Sequence, residues 1–390
     1  MAFKVLDHDI QKFITENTGK PVTALALQKN PFPGADWTEI IGQIAAREKA
    51  KDKLPTWFAV ENIVYPSKIS VEQTSSEVAA QYKAGLVSGD SLIDLTGGFG
   101  VDDYYFSKKV GQVTHCELNE ELSEIAAHNF RILALQNIKC IAGDSLDTLK
   151  NSGKHWDYIY IDPSRRSDVK GKVFMLKDCL PNVPDLLDTY FSYSDNILIK
   201  TAPILDITAG LSEIHSVKEV HIVAVNSEVK ELLWVLEKGY DGSPELIAVS
   251  LNKDYTDIFT TSYDNDAHAF YSLPQKYLYE PNSAIMKSGA FDAVCQIYNV
   301  AKLHNNSQLY TSDFLINFPG RRFTINDIIP YQKLGLKSLQ GTKMNVTVRN
   351  FPLSVEEIRK KLKLKDGGDI YAFFTTNMQN EKIVLLCGKI

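Results

Sequence analysis

The 390-residue chain has no apolar run that approaches the roughly 18 residues a membrane-spanning helix requires. Its first twenty residues lack the charged stretch and apolar core of a secretory signal. A cytoplasmic protein with no membrane partner is expected. Cysteine is scarce: Cys116, Cys140, Cys179, Cys295 and Cys387 stand far apart and form no CxxC. Reduced, mostly core thiols are expected, with no structural zinc. The eight histidines include no HxH and no i, i+4 pair, so no metal is expected. Internal repeats and low-complexity linkers are also missing, which excludes solenoids and long disordered connections.

What is present is ordinary globular material. Apolar residues make up 44% and charged residues 23%, so the chain should fold throughout, and its length suits two or three domains. The net charge of −6 hides an asymmetry: residues 271–390 carry 16 Lys and Arg against 9 Asp and Glu, leaving −13 on the first 270. A basic appendage on an acidic body suggests contact with a polyanion, and a solvated charged face is the alternative.

Prolines 21, 31, 33, 55 and 66 break residues 1–70 into short helices, an N-terminal helical cap. Residues 37–50 have helical spacing and lead into lysines suited to a helix C-terminus before Leu54-Pro55. From Ser76 helix and strand alternate, the pattern of a parallel sheet wrapped by helices. Seven strands are expected, at 91–96, 113–118, 138–143, 158–162, 196–201, 220–225 and 246–251. Helices are expected at 121–133 and 183–191, and a helix at 227–239 joins the last two strands. Beyond about residue 265 the pattern becomes a small α+β region. FPGRRF (318–323) marks a turn there, followed by strand, helix, strand, turn and strand from NVTVRN onward.

DLTGGFGVDD (94–103) lies between a β-type run and a helix-compatible segment, the setting that makes a glycine loop informative. Gly97, Gly98 and Gly100 permit a sharp turn and close approach to a ligand. A dinucleotide fingerprint needs a further glycine where Asp103 stands, which argues against a dehydrogenase. Asp94 at the start of the loop and Asp102 or Asp103 at its close would repel a pyrophosphate and attract the ammonium of an amino-acid tail. Glu117, 23 residues after Asp94, ends the second strand, where a carboxylate can accept two ribose hydroxyls. Asp144 after the third strand can meet an adenine amino group or cap a helix.

DLTGGFGVD, Glu117, GDSL (143–146) and IDPSRR (161–166) resemble, in order and spacing, the motifs of class I S-adenosylmethionine-dependent methyltransferases. With EQTSSE (72–77), LIKTAP (198–203) and the segment from VRNFPL (348–353), the chain is similar to a bacterial methyltransferase family with a ferredoxin-like segment and a C-terminal THUMP-like domain. The resemblance implies a Rossmann-like seven-stranded sheet with one reversed strand. Its implied divisions are an N-terminal helical region at 1–70, a methyltransferase domain at 71–265, a ferredoxin-like segment at 266–325 and a THUMP-like domain at 326–390. It also implies S-adenosylmethionine as cofactor, held by Gln73, Thr74, Asp94, Thr96, Gly97, Gly98, Gly100, Asp102, Glu117, Leu118, Asp144 and Ser145. For EQTSSE, helix capping by Thr74, Ser75 or Ser76 is an equal alternative.

IDPSRR should sit at the carboxyl edge of the sheet, beside the transferable methyl group. Asp162, Pro163, Ser164 and Arg165 are the catalytic candidates. Asp162 and Pro163 match the first half of a D/N-P-P-aromatic motif that serves amino nitrogens, whereas Ser164 and Arg165 replace the second proline and the aromatic ring. Arg165 and Arg166 can clamp a phosphate or pair with carboxylates such as Asp168. Cys179 is the nearest downstream thiol, in what reads as a helix-to-loop stretch. Lys200 ends the fifth strand on the same edge and needs a ligand or a carboxylate partner. In SVEEIRKKLKLK (354–365), Val355, Ile358 and Leu362 form the inward stripe and leave Arg359, Lys360 and Lys363 exposed. Together with Arg321, Arg322 and Arg349 these can follow an RNA backbone. The leading expectation is an RNA methyltransferase acting on tRNA or rRNA at a base nitrogen. The rivals are a protein or small-molecule methyltransferase and a non-catalytic binding protein with the cofactor fold.

Overall fold

The computed structural model describes residues 3–165 and 175–390, which divide into two compact units. The first comprises Met1–Lys218 and Glu231–Gly242, the second Glu219–Lys230 and Ser243–Ile390.

The first unit begins with helices. The longest, α1 (Trp37–Lys53), starts where the Asp36 carboxylate accepts from Thr38 N, ends with Lys51 and Lys53, and buries Ile40, Ile41 and Ile44. A further helix, α2 (Glu77–Ala84), is capped by the Ser76 hydroxyl, which resolves the capping alternatives of EQTSSE in favour of Ser76.

The unit's sheet consists of β1 (Ser91–Asp94), β2 (Gln112–Glu117), β3 (Ile138–Ala142), β4 (Tyr158–Ile161), β5 (Asn196–Thr201) and β6 (Glu228–Glu237). They lie in the order β3-β2-β1-β4-β5-β6. All pair in parallel except β6, which runs antiparallel to β5. The chain winds outward from β1 through β2 to β3, then crosses to β4 and onward to β5. This reversal of winding opens a crevice at the carboxyl ends of β1 and β4. Helices α3 (Val101–Phe106), α4 (Glu120–Ile132), α5 (Ser145–Asn151), α6 (Val183–Phe191) and α7 (Ile207–Glu213) connect the strands. Packing beside β6 is tight: the Trp234 ring is fully buried, its Nε1 donates to Thr201 Oγ1 at 3.0 Å, and a Cβ on Gly210 of α7 would come within 2.4 Å of it.

Strand β6 corrects the helix expected at 227–239. Asn226 and Ser227 both have positive φ, 50° and 68°, the geometry of a two-residue hairpin turn. The following EVKELLWVLE is buried at Leu232, Leu233, Trp234 and Leu236. The missed signal is an Asn-Ser pair between two β-type runs, masked by a leucine-rich segment whose short apolar run fits either period.

The second unit has β7 (Glu245–Leu251), parallel to Val217–Val225 and antiparallel to β8 (Thr256–Ser262), a strand the sequence reading left out. Its seven-stranded sheet follows. In chain order the strands are β9 (Tyr277–Pro281), β10 (Ala301–Lys302), β11 (Tyr310–Ser312), β12 (Gly320–Pro330), β13 (Asn345–Val348), β14 (Ile370–Thr376) and β15 (Lys382–Lys389). FPGRRF is therefore the entry to a long strand. Gly320 is required there, because its φ is +152° and a Cβ would lie 2.2 Å from the Glu280 carbonyl oxygen. The parallel pair of β13 with β14 brackets α8 (Val355–Leu362). Ser354 and Glu357 form a capping box on α8, and Ile358 and Leu362 join the core with Phe374. Phe373 is buried in a neighbouring cluster.

Candidate functional site

The loop after β1 is held from beneath. The Asp94 side chain is 1% exposed and its Oδ1 accepts from Thr96 N and Oγ1 at 2.7 and 3.0 Å. Thr96 Oγ1 in turn accepts from Asp162 N at 2.7 Å, tying the β1 loop to the β4 loop. Gly97 N donates to the Cys116 carbonyl, and a Cβ on Gly97 would lie 2.2 Å from the His115 ring. Gly98, at φ +59°, donates its N–H to Glu117 Oε2 at 2.8 Å, and no atom stands closer than 3.7 Å to its missing Cβ. Gly100 takes φ +82° at the start of α3, and a Cβ there would meet Phe130 at 2.3 Å. Replacing Gly100 with alanine should therefore destabilise the first unit by about 1–3 kcal/mol, through left-handed strain and overpacking. A denaturation midpoint measured by tryptophan fluorescence checks this.

His115 and Asp103 are fully buried with Nδ1 and Oδ2 2.5 Å apart. Burial, then Asp103, pushes the Asp94 carboxyl well above its usual value. Burial, then Asp102, does the same to Asp103. Burial also lowers His115, against the pull of Asp94 and Glu117. The opening aspartate of the motif thus sits inside an internal hydrogen-bonded cluster under the loop, and does not present a charge to solvent.

Asp102 also turns inward. Its Oδ2 accepts from Ser75 Oγ (3.0 Å) and the Tyr160 hydroxyl (2.8 Å), and Oδ1 faces Lys83 Nζ at 3.0 Å. Burial opposes its ionisation, but Lys83 and Lys200 outweigh burial and hold it below the usual carboxylate range. The Lys83 side chain is 0% exposed and also reaches Glu231 Oε2 (3.0 Å) and Ser75 Oγ (2.6 Å). Sequence reasoning missed Lys83 and Glu231. Lys83 had a visible signal: it lies on the same α2 stripe as Ala79, Ala80 and Ala84, all buried. Glu231 was hidden by the helical reading of β6.

Other groups on this edge are open to solvent. Glu117 is half-buried, and its two oxygens accept from Gly98 N and Asn119 N (2.8 Å each). Leu118 beside it is 76% exposed. Asp162 is 35% exposed at the side chain and its Oδ2 is ion-paired to Lys200 Nζ. Lys200 is almost buried. Burial would lower its pKa, but Asp162, Glu231 and Asp102 raise it above its ordinary value. Lys200 thereby has the carboxylate partner its position demanded. Pro163 is buried, whereas Ser164 and Arg165 are exposed and pair as a short ladder with Leu180 and Cys179. Cys179 directly follows a short 3-10 helix, Leu176–Asp178, and is in strand conformation beside Arg165, fully buried.

The remaining expected cofactor residues are more peripheral. Asp144 caps α5, accepting from Leu146 N and Asp147 N, with Ser145 the first helical residue. Gln73 is exposed and Thr74 half-buried at the end of a short helix. A cavity of about 600 Å³ beside β2, β3 and α5 includes Asp144 but none of the glycine loop. Arg166 and Asp168 lie outside the described residues. In the second unit, Arg321 and Arg349 both bind the buried Glu280, and Arg359 pairs with Asp366. Arg322 is half-buried, and Lys360 and Lys363 are exposed with Lys361 and Lys365. Among the described residues there is no cluster of three or more metal-ligating side chains, and no helix long and apolar enough to cross a membrane.

The winding order, the reversed β6 and the glycine loop at the winding reversal define the class I methyltransferase fold. The chain is 32% identical to a candidate methyltransferase from Porphyromonas gingivalis W83 of known crystal structure, with a TM-score of 0.87. The match covers 98% of this chain and 97% of that one, so the protein belongs to that family. Residues 277–319 match a ferredoxin-like domain and 320–389 a THUMP domain-like family. More distant similarity extends to M. capricolum TrmK in complex with S-adenosylhomocysteine, at 15% identity, 45% and 70% coverage of the two chains and TM-score 0.32. It extends also to a candidate class I S-adenosylmethionine-dependent methyltransferase of Listeria monocytogenes, at 11%, 60% and 90%, and 0.35. Comparison with curated proteins returns no match.

Proposed function

We propose that the protein is an S-adenosylmethionine-dependent methyltransferase that modifies RNA at a base nitrogen. The observation that carries this reading is the convergence, at the carboxyl edge of β1, β2 and β4, of an open glycine loop, the Glu117 carboxylate and Asp162. The family relationship over nearly the full length supports methyl transfer. The THUMP-like match and the exposed Lys360, Lys361, Lys363 and Lys365 support a polyanionic acceptor.

The residues fit the cofactor. The space over Gly98 admits close approach of a ligand to the backbone. Glu117, already oriented by two backbone donors, keeps lone pairs for ribose hydroxyls, and Leu118 offers an apolar surface for a purine. With Asp94 and Asp102 turned inward, the carboxylates facing the crevice are Glu117 and Asp162. Bound S-adenosylmethionine supplies an electrophilic methyl group on a sulfonium. Asp162, steered by Lys200, accepts a hydrogen bond from the acceptor amine, orients its lone pair toward the methyl carbon and takes the proton released after transfer. Ser164 and Arg165 line the acceptor side, where Arg165 can meet a phosphate or stack on a base.

Glu117→Ala should weaken S-adenosylhomocysteine binding by about tenfold to a hundredfold, the loss of one charge-assisted hydrogen bond. Titration calorimetry reads this directly. The acceptor is tested by nucleoside mass spectrometry of RNA from cells with and without the gene. One methylated nucleoside should disappear. Unchanged RNA together with loss of a methylated peptide would reassign the acceptor to protein. Two of the expected backbone cations, Arg321 and Arg349, are partly neutralised by Glu280, so the salt dependence of RNA retention should rest chiefly on the α8 lysines.

A further inference from the structure

The second unit contains a cavity of about 410 Å³, with Asn252, Tyr255, Asp257, Glu280, Arg321 and Arg349 in its wall. That volume lies in the range that encloses small ligands, roughly 300–1,000 Å³. One side is a built cationic wall. Glu280, 3% exposed, accepts from Arg321 Nε at 2.6 Å through Oε2, and from Arg349 Nε and Nη2 at 3.0 and 2.8 Å through Oε1. One buried carboxylate thus fixes two guanidinium planes and leaves the trio a net positive charge. The two arginine side chains remain 43% and 37% exposed. Among the described residues neither Nη1 nitrogen has a hydrogen-bond partner. Two preset, part-exposed guanidiniums with spare donors suit a phosphate better than a carboxylate, because a phosphate offers three oxygens to two forks.

The rest of the wall is of another kind. Tyr255, 60% exposed, stands in the turn between β7 and β8, where Asn252 N donates to its carbonyl oxygen at 3.0 Å. The ring is a stacking surface that the fold does not cover. Asp257, half-buried at the start of β8, and the Asn252 amide offer hydrogen-bonding edges. Burial raises the Asp257 carboxyl, against the pull of Asn282 and Arg322.

We propose that this cavity binds one unpaired nucleoside monophosphate unit, with its phosphate on Arg321 and Arg349, its base against Tyr255 and its base edge at Asn252 and Asp257. As a nucleotide within an RNA chain, this deepens the RNA reading and rests on it. As a free nucleotide, it does not. The full-length protein is saturated with S-adenosylhomocysteine to block the other adenosyl site, then titrated by calorimetry with uridine, cytidine and guanosine 5′-monophosphates. Binding is expected, weakened about tenfold or more by Tyr255→Ala and comparably by Arg349→Gln, with S-adenosylhomocysteine affinity unchanged as the folding control. No binding of any monophosphate, or equal binding by both variants, overturns the proposal. Competition by a single-stranded oligoribonucleotide assigns the site to RNA. Monophosphate binding without competition keeps the site for a free nucleotide and counts against the RNA reading. RNA binding without monophosphate binding removes the site and leaves that reading standing.

Discussion

Asp162→Asn should lower methyl transfer by about two to four orders of magnitude while S-adenosylhomocysteine still binds. The amide cannot take a proton, and it replaces the anion that Lys200 holds in place. Loss of the ion pair alone has a different signature. If Asp162 served only to neutralise a nearly buried lysine, adding Lys200→Met to Asp162→Asn would remove the stranded charge and restore turnover. On the proposed role the double variant stays inactive, and Lys200→Met alone reduces kcat more than it alters KM for the donor. Incorporation of labelled methyl groups into RNA from cells lacking the gene gives the rates. Wild-type activity in Asp162→Asn would sink the assignment.

Lys83→Met should cost about 3–5 kcal/mol, the penalty for breaking a buried ion pair by removing one partner. Lys83 is the cation that Asp102 and Glu231 both face, and its side chain is 0% exposed. Without it two carboxylates, Asp102 at 12% and Glu231 at 3% exposed, are left in a largely buried site with Lys200 nearby. All four tryptophans, Trp37, Trp57, Trp156 and Trp234, belong to the first unit. Their fluorescence during urea unfolding therefore reports that unit alone. A large fall in midpoint is expected for Lys83→Met, with partial recovery in Lys83→Met/Glu231→Gln, where one unpaired charge is removed. An unshifted midpoint would mean that the cluster contributes no net stability.

The two variants probe opposite ends of one network. Lys83, Asp102 and Glu231 form its more buried end, where Ser75 and Tyr160 are hydrogen-bonded to them. Asp162 and Lys200 lie at its open end, and Lys200 interacts with both Glu231 and Asp102. On the proposed role of Asp162, a fixed array of charges behind that carboxylate orients it in advance. This is also why the acidic residues of DLTGGFGVDD divide as they do. Burial raises the carboxyls of Asp94 and Asp103, whereas Lys83 and Lys200 hold that of Asp102 below its usual range.

Local patterning made much of this legible. Short apolar β-type runs located β1 to β5, proline breaks located the N-terminal helices, and the glycines of 97–100 marked a loop. The alternation of Val355, Ile358 and Leu362 with lysines gave α8 its two faces. These features depend on neighbours a few residues apart, and such neighbours are written in the sequence. Where competing local signals tied, as in EVKELLWVLE, the sequence could not decide. The pairing with β5 and the burial of Trp234 against Gly210 settled it as a strand.

By itself, then, the sequence determined most of the order of elements up to β5, the position of the glycine loop and the candidate acid or base at Asp162, because backbone conformation and amphipathic period are local properties. Tertiary structure alone decided which charges face outward. Lys83 meets Glu231 across 148 residues and Arg349 meets Glu280 across 69. Whether a carboxylate binds a ligand, caps a helix or anchors an arginine depends on the burial and counter-charge that folding brings to it.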